Sequence, residues 1–90
     1  MAGRTATVRG VVVSTKYASW SNGSPTFLDL GAAYPSSRRF TVIIWGRNRA
    51  NFRAPESRYY GRTICVRGVV ARYDDHYQIE ARSPSQITLG

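Results

Sequence analysis

Runs of β-branched and aromatic residues recur along the chain, each closed by a cluster of Ser, Asn, Gly or Pro. Such runs read as strands bounded by turns. TATVRGVVVSTKY (Thr5 to Tyr17) is the first and is long; PTFLDLG (Pro25 to Gly31) alternates apolar and polar positions; RRFTVIIWG (Arg38 to Gly46) is the most apolar. The loops ASWSNGS and AAYPSS separate them. After Trp45 the alternation stops, and Arg47 to Phe52 suits a short helix that Pro55 ends. Strand character returns in RTICVRGVVARY (Arg62 to Tyr73), Asp74 and Asp75 make a turn, and HYQIEAR (His76 to Arg82) runs back as a hairpin partner. Ser83, Pro84 and Ser85 break that strand and leave QITL as a short last segment.

The stretch VRGVV occurs twice in the long runs, as Val8 to Val12 and as Val66 to Val70, each time with a central glycine. Glycine weakens a regular strand because it packs no side chain and adds entropy to the unfolded chain. A tandem repeat would explain the pair, but the segments that follow the two copies do not match. The order long strand, strand, strand, short helix, long strand, strand gives a better reason. It predicts an all-β, five-stranded Greek-key barrel with one short helix between strands three and four, the OB-fold. Closing so few strands makes the longest ones coil sharply and change partners along their length, with Gly10 and Gly68 at the bends.

Length and composition narrow this to one domain, residues 1–90. A chain of this size buries roughly 60–68% of its unfolded surface, enough for a single modest core. No apolar run approaches the roughly 18 residues of a membrane helix, and MAGRTATVRG has no apolar leader segment, so the expectation is a cytoplasmic protein without a membrane partner. Cys65 is the only cysteine, which excludes an internal disulfide and a Cys-based zinc cluster. Thirteen basic against five acidic residues give a formal net charge of +8. A field of that sign attracts polyanions and makes nucleic acid the leading class of partner. All but Lys16 of the basic residues are Arg, whose planar guanidinium stacks on bases and forks onto phosphates.

Together, VRGVVVSTKY, PTFLDLG, RRFTVIIWGRNRANF and TICVRGVVARYDDHYQIEARSPSQI resemble the OB-fold nucleic-acid-binding domains related to the tRNA-anticodon-binding type, especially small bacterial single-domain versions and those attached to DNA-processing proteins. The likeness runs from Val8 to Ile87. It implies single-stranded nucleic acid lying across strands two and three between the loops that join strands one to two and four to five; DNA is expected in preference to RNA.

Alternation in PTFLDLG sends Leu28 and Leu30 inward and Phe27 and Asp29 outward. There the FxDL resemblance places a base-stacking aromatic and a polar neighbour. In the third strand Phe40, Val42 and Ile44 make the better core, which leaves Thr41, Ile43 and Trp45 on the face of Phe27. Phe27 and Trp45 side by side form a stacking platform, each stacked base contributing about 1–3 kcal/mol; burial of either ring is the alternative. Lys16, Tyr17 and Trp20, in or beside the first loop, and Tyr73 and His76, flanking the second hairpin turn, are further candidate nucleic-acid contacts, a lid over the barrel end being the alternative for Trp20 and a solvated turn residue for His76. Arg38, Arg39, Arg47, Arg49 and Arg53 gather around the third strand and helix as candidate phosphate contacts, a solvated helix face being the alternative for Arg47 and Arg49. The directions of Arg9 and Arg67 stay open.

Two readings follow. One is a non-enzymatic binder of single-stranded nucleic acid. The other is an interaction module, an accessory subunit whose exposed aromatics dock a protein partner or a second copy. Asp29, Glu56, Asp74, Asp75 and Glu80 are scattered, and no triad spacing, phosphate-cradling glycine loop or zinc motif occurs, so neither catalysis nor a metal or other cofactor is expected.

Overall fold

The structure, a computed structural model, describes residues 3–32, 36, 38–73 and 76–90. Strands form over the β-branched runs: β1 (Thr5–Tyr17), β2 (Thr26–Leu30), β3 (Phe40–Ile44), β4 (Thr63–Tyr73) and β5 (His76–Glu80). A 3₁₀ helix (Pro84–Gln86) then leads into β6 (Ile87–Leu89). The turn expected at Asp74 and Asp75 lies outside the described residues, as does most of the AAYPSS loop. Between β3 and β4 stand two one-turn helices, α1 (Gly46–Arg49) and α2 (Pro55–Arg58), where a single helix stopped by Pro55 was expected. Pro55 starts a helix instead, because its missing N–H is not needed in a first turn. The break between the two is made by Arg53 and Ala54, which both adopt left-handed backbone with φ of 55° and 53°.

The protein is mostly β, as its residue pattern predicts. β1 pairs with β2 and β4, β2 with β3, and β4 with β5, all antiparallel, while β3 and β5 run parallel. These five strands therefore close into a ring, and β6 lies against β4 outside it. The inward positions of the ring form one apolar cluster that includes Val12, Leu28, Val42, Ile64, Val66 and Ile79, all fully buried. Phe52 from the α1–α2 connection and Tyr59 after α2 join the same cluster. Among the described residues, no helix is long and apolar enough to cross a membrane.

The two central glycines stand where the long strands change partners. β1 pairs with β4 from Thr5 to Val11 and with β2 from Val12 onward, with a bulge between Val12 and Ser14. A Cβ on Gly10 would lie 3.2 Å from Leu30 Cβ of β2. β4 pairs with β6 through Val66 and with β5 from Val70, and Gly68 lies between the two stretches. Here a Cβ would meet Ile79 Cγ2 at 2.6 Å, closer than packed carbon atoms come. Close approach, at both sites, is what the missing side chain permits.

Gln86 closes the seam that this change of partner opens. Its Nε2 donates to the Arg67 carbonyl at 2.9 Å and to the Glu80 carbonyl at 3.2 Å, while its Oε1 accepts from the N–H of Arg82 at 2.7 Å and of Ser83 at 3.2 Å. One side chain thus satisfies four backbone groups of strands that have parted.

Candidate nucleic-acid interface

Strand register arranges the outer face of β1, β2, β3 and β5 into two rows. In the first, Lys16 is opposite Phe27, Phe27 opposite Ile43, and Ile43 opposite Glu80. In the second, Ser14, Asp29, Thr41 and Gln78 follow one another in the same way. Leu28 and Leu30 point inward, as alternation predicts. The two rows differ in chemistry.

Ser14, Asp29 and Thr41 of the second row form a polar network that is largely buried. Asp29 is 6% exposed and Thr41 2%. Asp29 accepts from Ser14 Oγ at 2.8 Å and from Thr41 Oγ1 at 3.1 Å, and Arg39 Nε lies 3.9 Å from it. Arg39 also donates to the Ser36 carbonyl and, at 3.1 Å, to His76 Nδ1. Since a guanidinium only donates, Nδ1 is the acceptor in this contact. Arg39 and His76 are both buried. The expectations of a phosphate-binding Arg39 and a solvated His76 are therefore corrected: each supplies what the others lack, and mutual satisfaction is what lets such groups leave water.

The first row is open at Lys16 and Phe27, while Ile43 is 5% exposed. Lys16 is exposed and Phe27 half-buried. The Lys16 ammonium lies 5.3 Å from the ring centre of Trp20, which projects from the first loop with 72% of its surface exposed. A cation over an indole holds both groups near the row without removing either from solvent.

Trp45 is two residues beyond Ile43, half-buried, and its indole lies on the first loop. A Cβ at Gly23 would come within 2.8 Å of that ring, and Gly23 also has φ of 79°, so only glycine suits the position. The Gly46 N–H, donating to the Gly23 carbonyl at 2.7 Å, pins the same contact. Register thus sets Ile43, not Trp45, opposite Phe27, and among the described residues the only ring pair is Tyr73 with His76, at 6.0 Å. The side-by-side Phe27 and Trp45 platform does not form.

The arginines divide as sharply. Arg47 keeps 68% of its side chain exposed and lies 3.7 Å from Glu80 Oε2, which joins it to the first row. Arg38 and Arg53 are exposed. Arg49 is instead held by Glu56 of α2 and stacks 3.8 Å over the Tyr17 ring. That pairing spends both Arg49 and Tyr17 on joining the helices to β1. Tyr73 is 63% exposed but stands on the β4–β5 hairpin, at the other row. Arg9 and Arg67 point outward from β1 and β4, on the sheet across the core from Phe27.

The structure therefore brings Lys16, Trp20, Phe27, Trp45 and Arg47 onto one stretch of surface and assigns Asp29, Arg39, Thr41, His76, Tyr17 and Arg49 to internal contacts. Glu80, Gln78 and Arg82 belong to the same surface and were not anticipated. Alternation in HYQIE would have paired Gln78 with Glu80 on one face, but only the parallel β3–β5 pairing shows which face they share. Among the described residues, no three His, Cys, Asp or Glu side chains gather as a metal-ligand group. In comparison with known proteins, no protein-family model matches the chain and no curated protein is significantly similar to it.

Proposed function

We propose that the protein binds single-stranded nucleic acid without catalysing a reaction, DNA in preference to RNA, along the outer face at Lys16, Trp20 and Phe27. The grouping of exposed Trp20, half-open Phe27, the Lys16 ammonium and the largely exposed guanidinium of Arg47 on one outer sheet face carries this reading. Aromatic faces accept any base, and cations accept the backbone beside them. On this reading the ring is an OB-fold barrel, whose strands two and three and adjoining loops are the usual seat of an oligonucleotide. The net charge of +8 supplies long-range attraction.

Titration of a fluorescent single-stranded oligonucleotide at stepped salt tests the proposal. The expected result is saturable binding at low salt, with log K falling linearly against log salt by about 0.7 per phosphate neutralised. No saturable binding, or a complex indifferent to salt, overturns it. A protein-docking role is the second reading, favoured by Val11 and Val13, which are 44% and 39% exposed on the outer face of β1. A stoichiometric protein partner retained after nuclease treatment would support that alternative.

A further inference from the structure

Next to the first row, the outer surface of β4 and β5 holds a groove of about 440 Å³, lined by Val69, Ala71, Gln78, Glu80, Arg82 and Gln86. Glu80 belongs to both features, since it stands opposite Ile43 in the row and forms part of the groove wall. A carboxylate is out of place on a surface meant only for phosphate, because it repels the ligand.

Its bonding indicates another use. Arg47 and Arg82 both approach the same oxygen, Oε2, at 3.7 and 2.9 Å. No described residue hydrogen-bonds to Oε1, and the side chain is 31% exposed. Gln78, its neighbour on the same face of β5, makes no side-chain hydrogen bond to a described residue, unlike Gln86, whose amide is occupied by four backbone groups. Val69 and exposed Ala71 give the groove apolar walls. An oriented acceptor, a free amide and two apolar surfaces are what an unstacked base needs.

We propose that this groove receives one base of the bound strand and selects cytosine over thymine or uracil. The proposal rests on the single-strand reading above. The cytosine amino group donates to Glu80 Oε1, as carboxylates accept from cytosine N4 elsewhere, and its ring N3 accepts from the Gln78 amide. Thymine offers a single N–H between two carbonyl oxygens, and those oxygens would face the carboxylate. The arginines on Oε2 aim the other oxygen at the base and offset the charge of the carboxylate toward neighbouring phosphates.

The test compares an oligo-dT strand with the same strand carrying one central dC, by fluorescence anisotropy at fixed salt. The wild-type protein is expected to bind the dC strand about tenfold tighter. Glu80→Ala should abolish that preference while binding oligo-dT more tightly, since a repelling charge is gone. Arg82→Ala, which leaves Oε1 in place but removes the closer of the two groups that aim the carboxylate, should reduce the preference without abolishing it. If Glu80→Ala does not fold, Gln78→Ala carries the same test, with a severalfold loss of preference expected. Equal wild-type affinity for the two strands, or a preference that survives Glu80→Ala, overturns the base-selection proposal while leaving the single-strand reading intact. Failure of both strands to bind overturns both.

Discussion

Phe27 and Asp29 share a strand face yet differ in role, because each answers to its cross-strand neighbours. Phe27 lies between Lys16 and Ile43 and stays partly open, whereas Asp29 is enclosed by Ser14, Thr41 and Arg39. Asp29→Ala removes the acceptor of two hydroxyls and the carboxylate beside a buried guanidinium. The expected cost is about 2–4 kcal/mol in urea denaturation. Trp20→Ala should leave the denaturation midpoint unchanged, since the ring is 72% exposed. The same substitution should weaken oligonucleotide binding about tenfold, the scale of one lost stacking contact. An Asp29 variant of wild-type stability, or a Trp20 variant of wild-type affinity, would contradict these roles. The shared face of the two residues was legible from alternation. Their separate fates were not, because Ser14 and Thr41 come from strands that only folding sets beside β2.

At the scale of elements, the two copies of VRGVV mark the places where β1 and β4 exchange neighbours, and the packing at the two glycines differs. A side chain on Gly68 would press on the stiff, branched Ile79 in the core, while one on Gly10 meets Leu30 at a longer distance. Gly68→Ala is therefore expected to cost about 1–3 kcal/mol, the range of an overpacked core, and Gly10→Ala less. Thermal or urea melting of the two variants reads the order directly, and a Gly10 variant less stable than the Gly68 variant would refute it. Glycine within a β-branched run was a readable signal of a bend. The two helices after β3 were not readable, because Pro55 both ends one helix and starts another, and the left-handed turn at Arg53 and Ala54 has no marker in the residues.

Over the whole molecule, every described carboxylate faces an arginine: Asp29 with Arg39, Glu56 with Arg49, and Glu80 with Arg47 and Arg82. The uncompensated charge lies on both sides of the ring, Lys16 beside Phe27 and Arg9 and Arg67 across the core. On the proposed function, long-range attraction thus has no single origin, and orientation is left to Phe27 and Trp20. The core also sets an alkaline limit. Burial pushes the Tyr59 phenol above its ordinary value of 10.0, with nearby Arg58 acting in the opposite direction. The folded state then holds that proton more tightly than the unfolded chain, so the contribution is complete below pH 10.0 and is lost as pH rises through the folded value. Urea melting should show stability falling above about pH 10, and Tyr59→Phe should flatten that fall; an unchanged slope would show that Tyr59 is not its source.

The residues alone determined the main strands, the inward and outward positions of β2 and β3, the two bends and the excess positive charge, because each is written in local periodicity or in a count. The tertiary structure decided which outward residues remain available. Parallel pairing of β3 with β5 joins Glu80 and Gln78 to the face of Phe27, and the Trp45 indole turns onto Gly23. Arg39 and His76 pass into a buried network with Asp29. Periodicity gives the direction of a side chain, but the groups that meet it come from distant parts of the chain, and they decide whether it faces a ligand or a neighbour.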